Sequence, residues 1–382
     1  MGRQVAGMVF TTDCAPAPFF SFGWDKKNRI GQKKTKGRCD MEDKLQLIRK
    51  IAPDLTEEMI KRYRVLKTVR LLQPCGRRMV VLALGMTERT VRSEIERFSV
   101  QKLVQVSKTG MVVTEEGLEV LEGLDTVFSI MTGLSVLEEK LALLLGVKRV
   151  LIAQGDADVS ERSRKEMGQL AMRHLLEKTN EKSCIAITGG SSMEDLVLAA
   201  PEMSKPMAKM VVPARGSIGR RMELQADTLA VQLAEKLQAE YRLLHLPDNL
   251  SETALEEMKK QPEIFETIQE MDRANILLLG VGNALDMAEK RRLDEEIMAN
   301  LVKQDAIAEA CGYYFNRSGE VLYRTRSIAI DFDQISKMDE VIVVAGGEKK
   351  AESILAVSKS IPSGIFITDE GAAMKMLRIL EA

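Results

Sequence analysis

Histidine is scarce in this chain: His174 and His245 are the only two in 382 residues. That leaves acid–base catalysis short of its commonest carrier. His174 falls in a helical run and His245 ends a candidate strand, so both are expected to be structural. Cysteine is sparse as well. The five stand at 14, 39, 75, 184 and 311 with no close pair, so neither a disulfide framework nor a metal knuckle can be read from their spacing. A reducing cytoplasm fits that usage, and no metal ligands are assigned. No apolar run reaches membrane-spanning length, so no membrane partner is expected. Net charge is also low, at −1.

The small net charge hides an asymmetry. From Ile60 to Lys108 there are twelve Lys/Arg against three Asp/Glu, a net of +9; from Thr109 to Ala382 there are 32 basic against 45 acidic residues, a net of −13. A basic module joined to an acidic body suggests one polyanion-binding domain. A solvated basic helix face would give a similar local excess.

Residues 1–40 match nothing that follows. They combine Ala-Pro-Ala-Pro-Phe-Phe with a Lys-rich tail and hold the lone tryptophan, Trp24. Prolines and Thr11-Thr12-Asp13 interrupt the apolar stretches, which argues against a signal peptide. The expectation is a disordered extension translated from upstream sequence, with Met41 as the native start; N-terminal sequencing of the natural protein would decide this.

The basic module has a recognisable order. Glu57 to Leu72 carries apolar residues at helical spacing. Pro74 and Gly76 break the chain, Arg77 to Leu84 can form a second helix, and Gly85 stops it. Thr87 is placed as N-cap of a third helix with Glu88 in its first turn. On that helix Val91, Ile95 and Phe98 share one face. Arg89 and Ser93, flanked by Thr90, Arg92 and Arg97, occupy the other, where a helix in a major groove reads base edges. Leu103–Ser107 and Met111–Thr114 flank Lys108-Thr109-Gly110 as a hairpin wing. This is winged helix-turn-helix order over 41–125, with Arg77, Arg78, Thr87, Arg89, Thr90, Arg92 and Ser93 as the candidate DNA-contacting residues. The apolar seam from Leu118 to Leu145 supplies a linker or oligomerisation helix over 126–145. It reads equally as a subunit joint, giving a dimer or tetramer, and as a helix packed within one chain.

The body, 146–382, alternates β-rich and amphipathic helical runs. Candidate strands are Val150–Ala153, Cys184–Thr188, Lys209–Val212, Tyr241–His245, Ile276–Leu279, Val341–Ala345 and Ile365–Thr368. That rhythm predicts an α/β fold with a doubly wound, Rossmann-like parallel sheet. Such sheets bind ligands at strand ends, where four Gly-rich exits stand: 188–192, 213–217, 280–282 and 345–350. Glycine lets backbone N–H groups approach an anion, Ser191 and Ser192 add hydroxyls, and Arg215 adds a phosphate-shaped fork. Glycine after a strand also serves tight packing, but four such exits favour a phosphorylated ligand. No nucleotide-binding signature is present. Glu309-Ala310-Cys311-Gly312-Tyr313-Tyr314-Phe315 breaks the rhythm; alone it reads as a core segment with an exposed Glu, although a carboxylate beside aromatics could take sugar hydroxyls. Lys290-Arg291-Arg292 alone reads as a solvated triplet that could reach a phosphate.

Taken together, Pro-x-Gly-Arg-Arg (74–78), the Thr-Gly-Gly loop at 188, Pro-Ala-Arg-Gly (213–216), Glu-Ala-x-Gly-Tyr-Tyr-Phe-Asn (309–316), Ala-Gly-Gly (345–347) and Thr-Asp-Glu-Gly-Ala-Ala (368–373) resemble the SorC/DeoR-type sugar-responsive bacterial regulators. The resemblance runs from Met41 to the C-terminus. It implies a sugar-phosphate-isomerase-like effector domain and a repressor of a glycolytic operon. Its implied partners are operator DNA, further copies of the chain, and fructose 1,6-bisphosphate as allosteric ligand, with no cofactor. By motif, Gly189, Gly190, Ser191 and Ser192 hold one phosphate; serines stand where the family pattern has threonines. Arg215 and Gly216 hold phosphate too, while Glu309, Lys350 and a basic residue of Lys290-Arg291 contact sugar or phosphate. Two other readings stay open. One is an isomerase-like enzyme, whose base could be hidden in Asp369-Glu370; no catalytic residue is assigned. The other is an activator answering a different sugar phosphate.

Overall fold

The computed structural model describes residues 41–382 apart from 42–43, 46, 218–220 and 247–250. The proposed N-terminal extension, 1–40, lies outside the described residues.

The first helix of the winged-helix core runs Pro53–Leu72, with Pro at its start where a missing N–H costs nothing. It packs against the helices Arg77–Leu84 and Glu88–Val100. Gly85 ends the second in the left-handed conformation at φ 63°, and the Thr87 side chain caps the third by accepting from the Thr90 N–H. Val91, Ile95 and Phe98 are buried, as their spacing predicts. Strands β1 (Val104–Ser107) and β2 (Gly110–Val113) form the antiparallel wing. Backbone bonds between Cys75 and Met111 tie it to the chain break after the first helix.

The apolar seam 118–145 is not one helix. Gly133, at φ 79°, splits it into Glu115–Thr132 and Leu134–Leu145, bent by 73°. Leu121, Phe128 and Met131 of the first half join the winged-helix core, whereas Leu134 and Leu141 of the second join the core of the body. A helical period carries straight through a glycine in sequence; the left-handed conformation that glycine permits does not. No single helix among the described residues is long and apolar enough to cross a membrane.

In the body, β3 (Arg149–Ala153), β4 (Cys184–Ile187), β5 (Met210–Pro213), β6 (Glu240–Tyr241) and β7 (Ile276–Gly280) precede a second sheet. That sheet holds β8 (Gly282–Asn283), β9 (Ala306–Ala310), β10 (Tyr313–Asn316) and β11 (Val321–Arg324); β12 (Glu340–Val344) and β13 (Ile365–Asp369) then return to the first. The main sheet is parallel, in the order β3-β13-β12-β7-β4-β5-β6. Its side chains alternate between two cores: Leu277, Leu279, Val341 and Val343 on one face, Ile276, Leu278, Ile342 and Val344 on the other. Both faces are covered, as a doubly wound sheet requires.

The second sheet, β11-β10-β9-β8, is antiparallel. Strand β8 follows the β7 exit after one residue and pairs Gly282 with Glu309. That pairing carries Glu309 to the mouth of the main sheet. The β9–β10 turn, Cys311-Gly312, has φ 48° and 89°, the doubly positive pattern of a tight hairpin.

Candidate functional site

On the winged helix, Arg77, Arg78, Thr87, Arg89, Arg92 and Ser93 are exposed and Thr90 is half-buried. Arg92 pairs along its own helix with Glu96 at 2.8 Å. Glu94, on the opposite side, is buried with Lys61 and Arg62 of the first helix at 3.5 and 3.4 Å. One acidic residue turned inward thus fixes the third helix on the first and leaves its arginines to the solvent.

In the body, the Gly-rich exits of β4, β5, β7 and β12 converge on one cavity of about 1270 Å³. Gly189, Gly190, Ser191, Ser192, Arg215, Gly216, Lys290, Arg291, Glu309 and Lys350 all line it. Its walls hold seven Lys/Arg and four Asp/Glu, so an anion meets a net positive field. Gly190 takes φ 121° as N-cap of the helix Ser191–Leu198, aiming first-turn N–H groups at the mouth of the cavity. Gly189 is there for a close approach: a Cβ would stand 2.5 Å from the Leu224 carbonyl oxygen.

The floor is ionic. Glu309 is buried, and its Oε1 accepts from Arg215 Nη1 at 3.1 Å, Arg291 Nη2 at 2.7 Å and the Gly312 N–H at 2.6 Å. The expectation of an exposed Glu is therefore corrected, because β9 pairs with β8 and turns this residue inward. Arg291 is not solvated either. It caps the short helix Ala284–Lys290, points inward and donates to the Tyr314 hydroxyl at 2.8 Å. Burial pushes the Tyr314 phenol up to about 12, against the pull of Arg291, so the hydroxyl stays protonated. Arg215 Nη2 donates to Thr325 Oγ1 at 3.1 Å. Glu309 thus holds both guanidiniums in place through one oxygen. Lys350 is half-buried, and its ammonium sits below the ordinary lysine range, first through desolvation and then through repulsion by Lys290.

Asp369 does not serve as a base at this cavity. Its Oδ1 accepts from the Ala372 N–H at 2.8 Å, and its Oδ2 accepts from Ala157 at 2.8 Å and Gly347 at 2.6 Å. It caps the last helix and clips two loops together. Glu370 likewise accepts from the Gly155 N–H. His174 is buried against Glu340 at 3.1 Å, and His245 lies past the end of β6 in a left-handed turn at φ 49°.

Similarity to known proteins agrees with this two-part layout. The CggR N-terminal DNA binding domain profile matches residues 59–128, and a sugar-binding domain profile matches residues 130–378. The chain is 37% identical over 338 residues to the central glycolytic genes regulator of Bacillus subtilis (strain 168), covering 88% of this chain and 99% of the relative. It belongs to the family of the central glycolytic genes regulators. The regulator of that name from Priestia megaterium is 35% identical over 340 residues, with the same coverage. A SorC family transcriptional regulator from Enterococcus faecalis aligns at 29% identity and a TM-score of 0.60, over 63% of this chain and 99% of that one. The full-length sorbitol operon regulator SorC from Klebsiella pneumoniae shares the fold at 19% identity and a TM-score of 0.60, over 82% of this chain and 97% of that one. As a member of this family the chain is a DNA-binding, sugar-responsive transcriptional regulator and not an enzyme.

Two residues that complete the floor were not foreseen as such. Tyr314 stood in a quoted motif without a role, and its cross-strand pairing with Glu309 gives it one. Thr325 follows β11 and carries no local signal; only the fold brings it to Arg215.

Proposed function

We propose that this regulator represses a glycolytic operon and releases or remodels its grip when fructose 1,6-bisphosphate fills the cavity. The observation that carries this reading is the cavity itself: a glycine–serine helix start on one wall, a positive floor and lysines on another. Those two features suit the two ends of a bisphosphate. Ser191, Ser192 and the N–H groups of Gly189 and Gly190 take one phosphate. Arg215, Gly216, Lys290, Arg291 and Lys350 surround the other. Glu309 has a second role beyond orienting its two arginines: its Oε2 lies on the Gly282 side, where it accepts from a sugar hydroxyl. The curated relatives carry glycolytic genes in their names, which supports the choice of operon. Arg89 and Ser93 read base edges, while Arg77, Arg78 and Arg92 hold phosphates with Thr87 and Thr90 at the helix start. Half-site reading fits a dimer or tetramer, and the exposed Val136 and Leu143 of the helix Leu134–Leu145 offer apolar surface for it.

The test is fluorescence anisotropy on DNA upstream of the host's glycolytic operon, with and without fructose 1,6-bisphosphate. Specific binding that loosens with ligand is expected. Specific binding that ignores it would reject this effector, and no specific binding would reject the operator. Arg215→Ala is expected to keep operator binding and to weaken the ligand's effect by at least about tenfold, since truncating a buried charge partner costs about 2–5 kcal/mol.

A further inference from the structure

A cluster of charges lies where the winged helix meets the body. Lys67, on the helix Pro53–Leu72, places Nζ 2.9 Å from Glu166 Oε1 of the body helix Glu161–Lys178 and 3.4 Å from Asp125 Oδ1 of the helix Glu115–Thr132. Asp125 also accepts from the Tyr63 hydroxyl at 2.6 Å and pairs with Arg173 of the body. Burial would raise the Asp125 carboxyl, but Lys67 and Arg173 outweigh it and hold the group at about 2. On the far side of Glu166, Arg162 approaches Oε2 at 3.6 Å.

This joint is imperfectly satisfied. Glu166 is 3% exposed, and its Oε2 has no hydrogen bond; neither do the buried Nε atoms of Arg64 and Arg162. Arg64, Lys67, Arg162 and Arg173 gather around Asp125 and Glu166, and Glu138 and Glu177 line the cleft beside them. A buried, partly satisfied ionic contact is costly to hold. A cleft of about 200 Å³, lined by both modules, lies beside it, so the contact is not close-packed.

The same joint is wired to the cavity. Arg162 Nη2 donates to Gln154 Oε1 at 3.3 Å, and Ser163 Oγ donates to the Gln154 carbonyl at 2.6 Å. From Gln154 the chain runs directly into Asp158, which lines the cavity and accepts from the Lys349 N–H at 2.9 Å. A Cβ on Gly347 would stand 2.3 Å from Asp158 Oδ1, so the Lys350 loop lies closely against the segment that leads into the helix carrying Glu166. We propose that Glu166, held between Lys67 and Arg162, is the positioning residue of a joint through which the state of the cavity sets the placement of the reading head. This inference rests on the effector reading above.

The variants Glu166→Gln and Lys67→Met, singly and together, separate the two ideas. Arg317→Gln, which breaks exposed pairs with Asp305 and Glu352 away from the joint, serves as control. Fructose 1,6-bisphosphate binding is measured by calorimetry, operator affinity by anisotropy, and the helix Pro53–Leu72 by hydrogen exchange. The expected result is near-normal ligand binding, faster exchange in that helix, and a ligand-induced change in operator affinity at least about fivefold smaller than in wild type, with non-additive single and double variants. Arg317→Gln leaves all three readouts unchanged. Variants that exchange and respond like wild type overturn the joint. Should wild type ignore the bisphosphate while the variants still show faster exchange and non-additivity, the joint stands and the effector reading falls.

Discussion

The two places where this chain concentrates arginine treat it in opposite ways. On the winged helix, Arg77, Arg78, Arg89 and Arg92 are exposed, with Arg92 paired along its own helix to Glu96. At the cavity floor, Arg215 and Arg291 are buried and locked to Glu309, Thr325 and Tyr314. Exposed guanidiniums suit a long polyanion that brings many phosphates and sheds its counterions, so their contacts weaken steeply with salt. Buried, pre-aligned ones suit a small ligand, because little ordering remains for binding to accomplish. Salt screens them far less. The lesson is that the same side chain signals different partners according to what holds it before the partner arrives.

That difference also governs what could be read from the sequence. Exposed arginines show in the local charge balance, and their helix shows in the spacing of Val91, Ile95 and Phe98. Six strands of the parallel sheet were legible because each is a short apolar run between helical stretches; the edge strand, expected over Tyr241–His245, is the exposed pair Glu240–Tyr241 and shares only Tyr241 with that reading. The antiparallel sheet was not. Ala306-Ile307-Ala308-Glu309-Ala310 has the composition of a helix, and only its pairing with Gly282-Asn283 and Tyr313–Asn316 makes it a strand. Consequently Glu309 looked exposed and Arg291 looked solvated. Buried ion pairs between residues 94 positions apart, such as Arg215 and Glu309, leave no local trace; the family resemblance pointed to both residues but not to their bond. Gly133 was visible, but nothing near it marked the left-handed turn that splits the linker.

The largest expected effect breaks the buried side of the comparison. Glu309→Ala removes the acceptor shared by Arg215, Arg291 and the Gly312 N–H from a buried floor. Stripping one partner from a buried ionic group costs about 3–5 kcal/mol. Urea unfolding of the variant is expected to show a loss of that size, together with loss of ligand binding. A change below about 1 kcal/mol would mean that the floor is wet and that burial does not distinguish it from the reading head.

A smaller effect is expected on the exposed side. Arg89→Ala should lower specific operator affinity by about 1–3 kcal/mol, the worth of one good base contact, while stability and ligand binding remain at wild-type levels. Anisotropy on the specific operator and on a scrambled duplex separates base reading from phosphate holding. Equal losses on both duplexes would make Arg89 a phosphate contact, and the comparison would then rest on burial alone.

The smallest effect sharpens the comparison through protons. Lys350 shares the cavity with Lys290, and desolvation, followed by that repulsion, holds its ammonium below the ordinary range. In the free protein it therefore loses its proton at a lower pH than an exposed lysine would. The sign follows directly: rising pH through that lowered value removes a buried positive charge, which relieves the empty cavity and weakens its hold on a phosphate. A bound phosphate favours the ammonium and draws the proton back. Affinity for fructose 1,6-bisphosphate should accordingly be flat where both phosphates are fully ionised and Lys350 keeps its proton, and fall as pH rises through the lowered lysine value. One proton taken up per ligand limits the decline to about tenfold per pH unit. Calorimetry in two buffers of different ionisation enthalpy would detect the uptake, and Lys350→Met should abolish both the uptake and the slope. A slope that survives in Lys350→Met would assign the proton to another group lining the cavity, because the ligand's phosphates, with a second pKa of about 6, are fully ionised in this range. The arginines should show no such dependence, because their charge is fixed across this range wherever they sit.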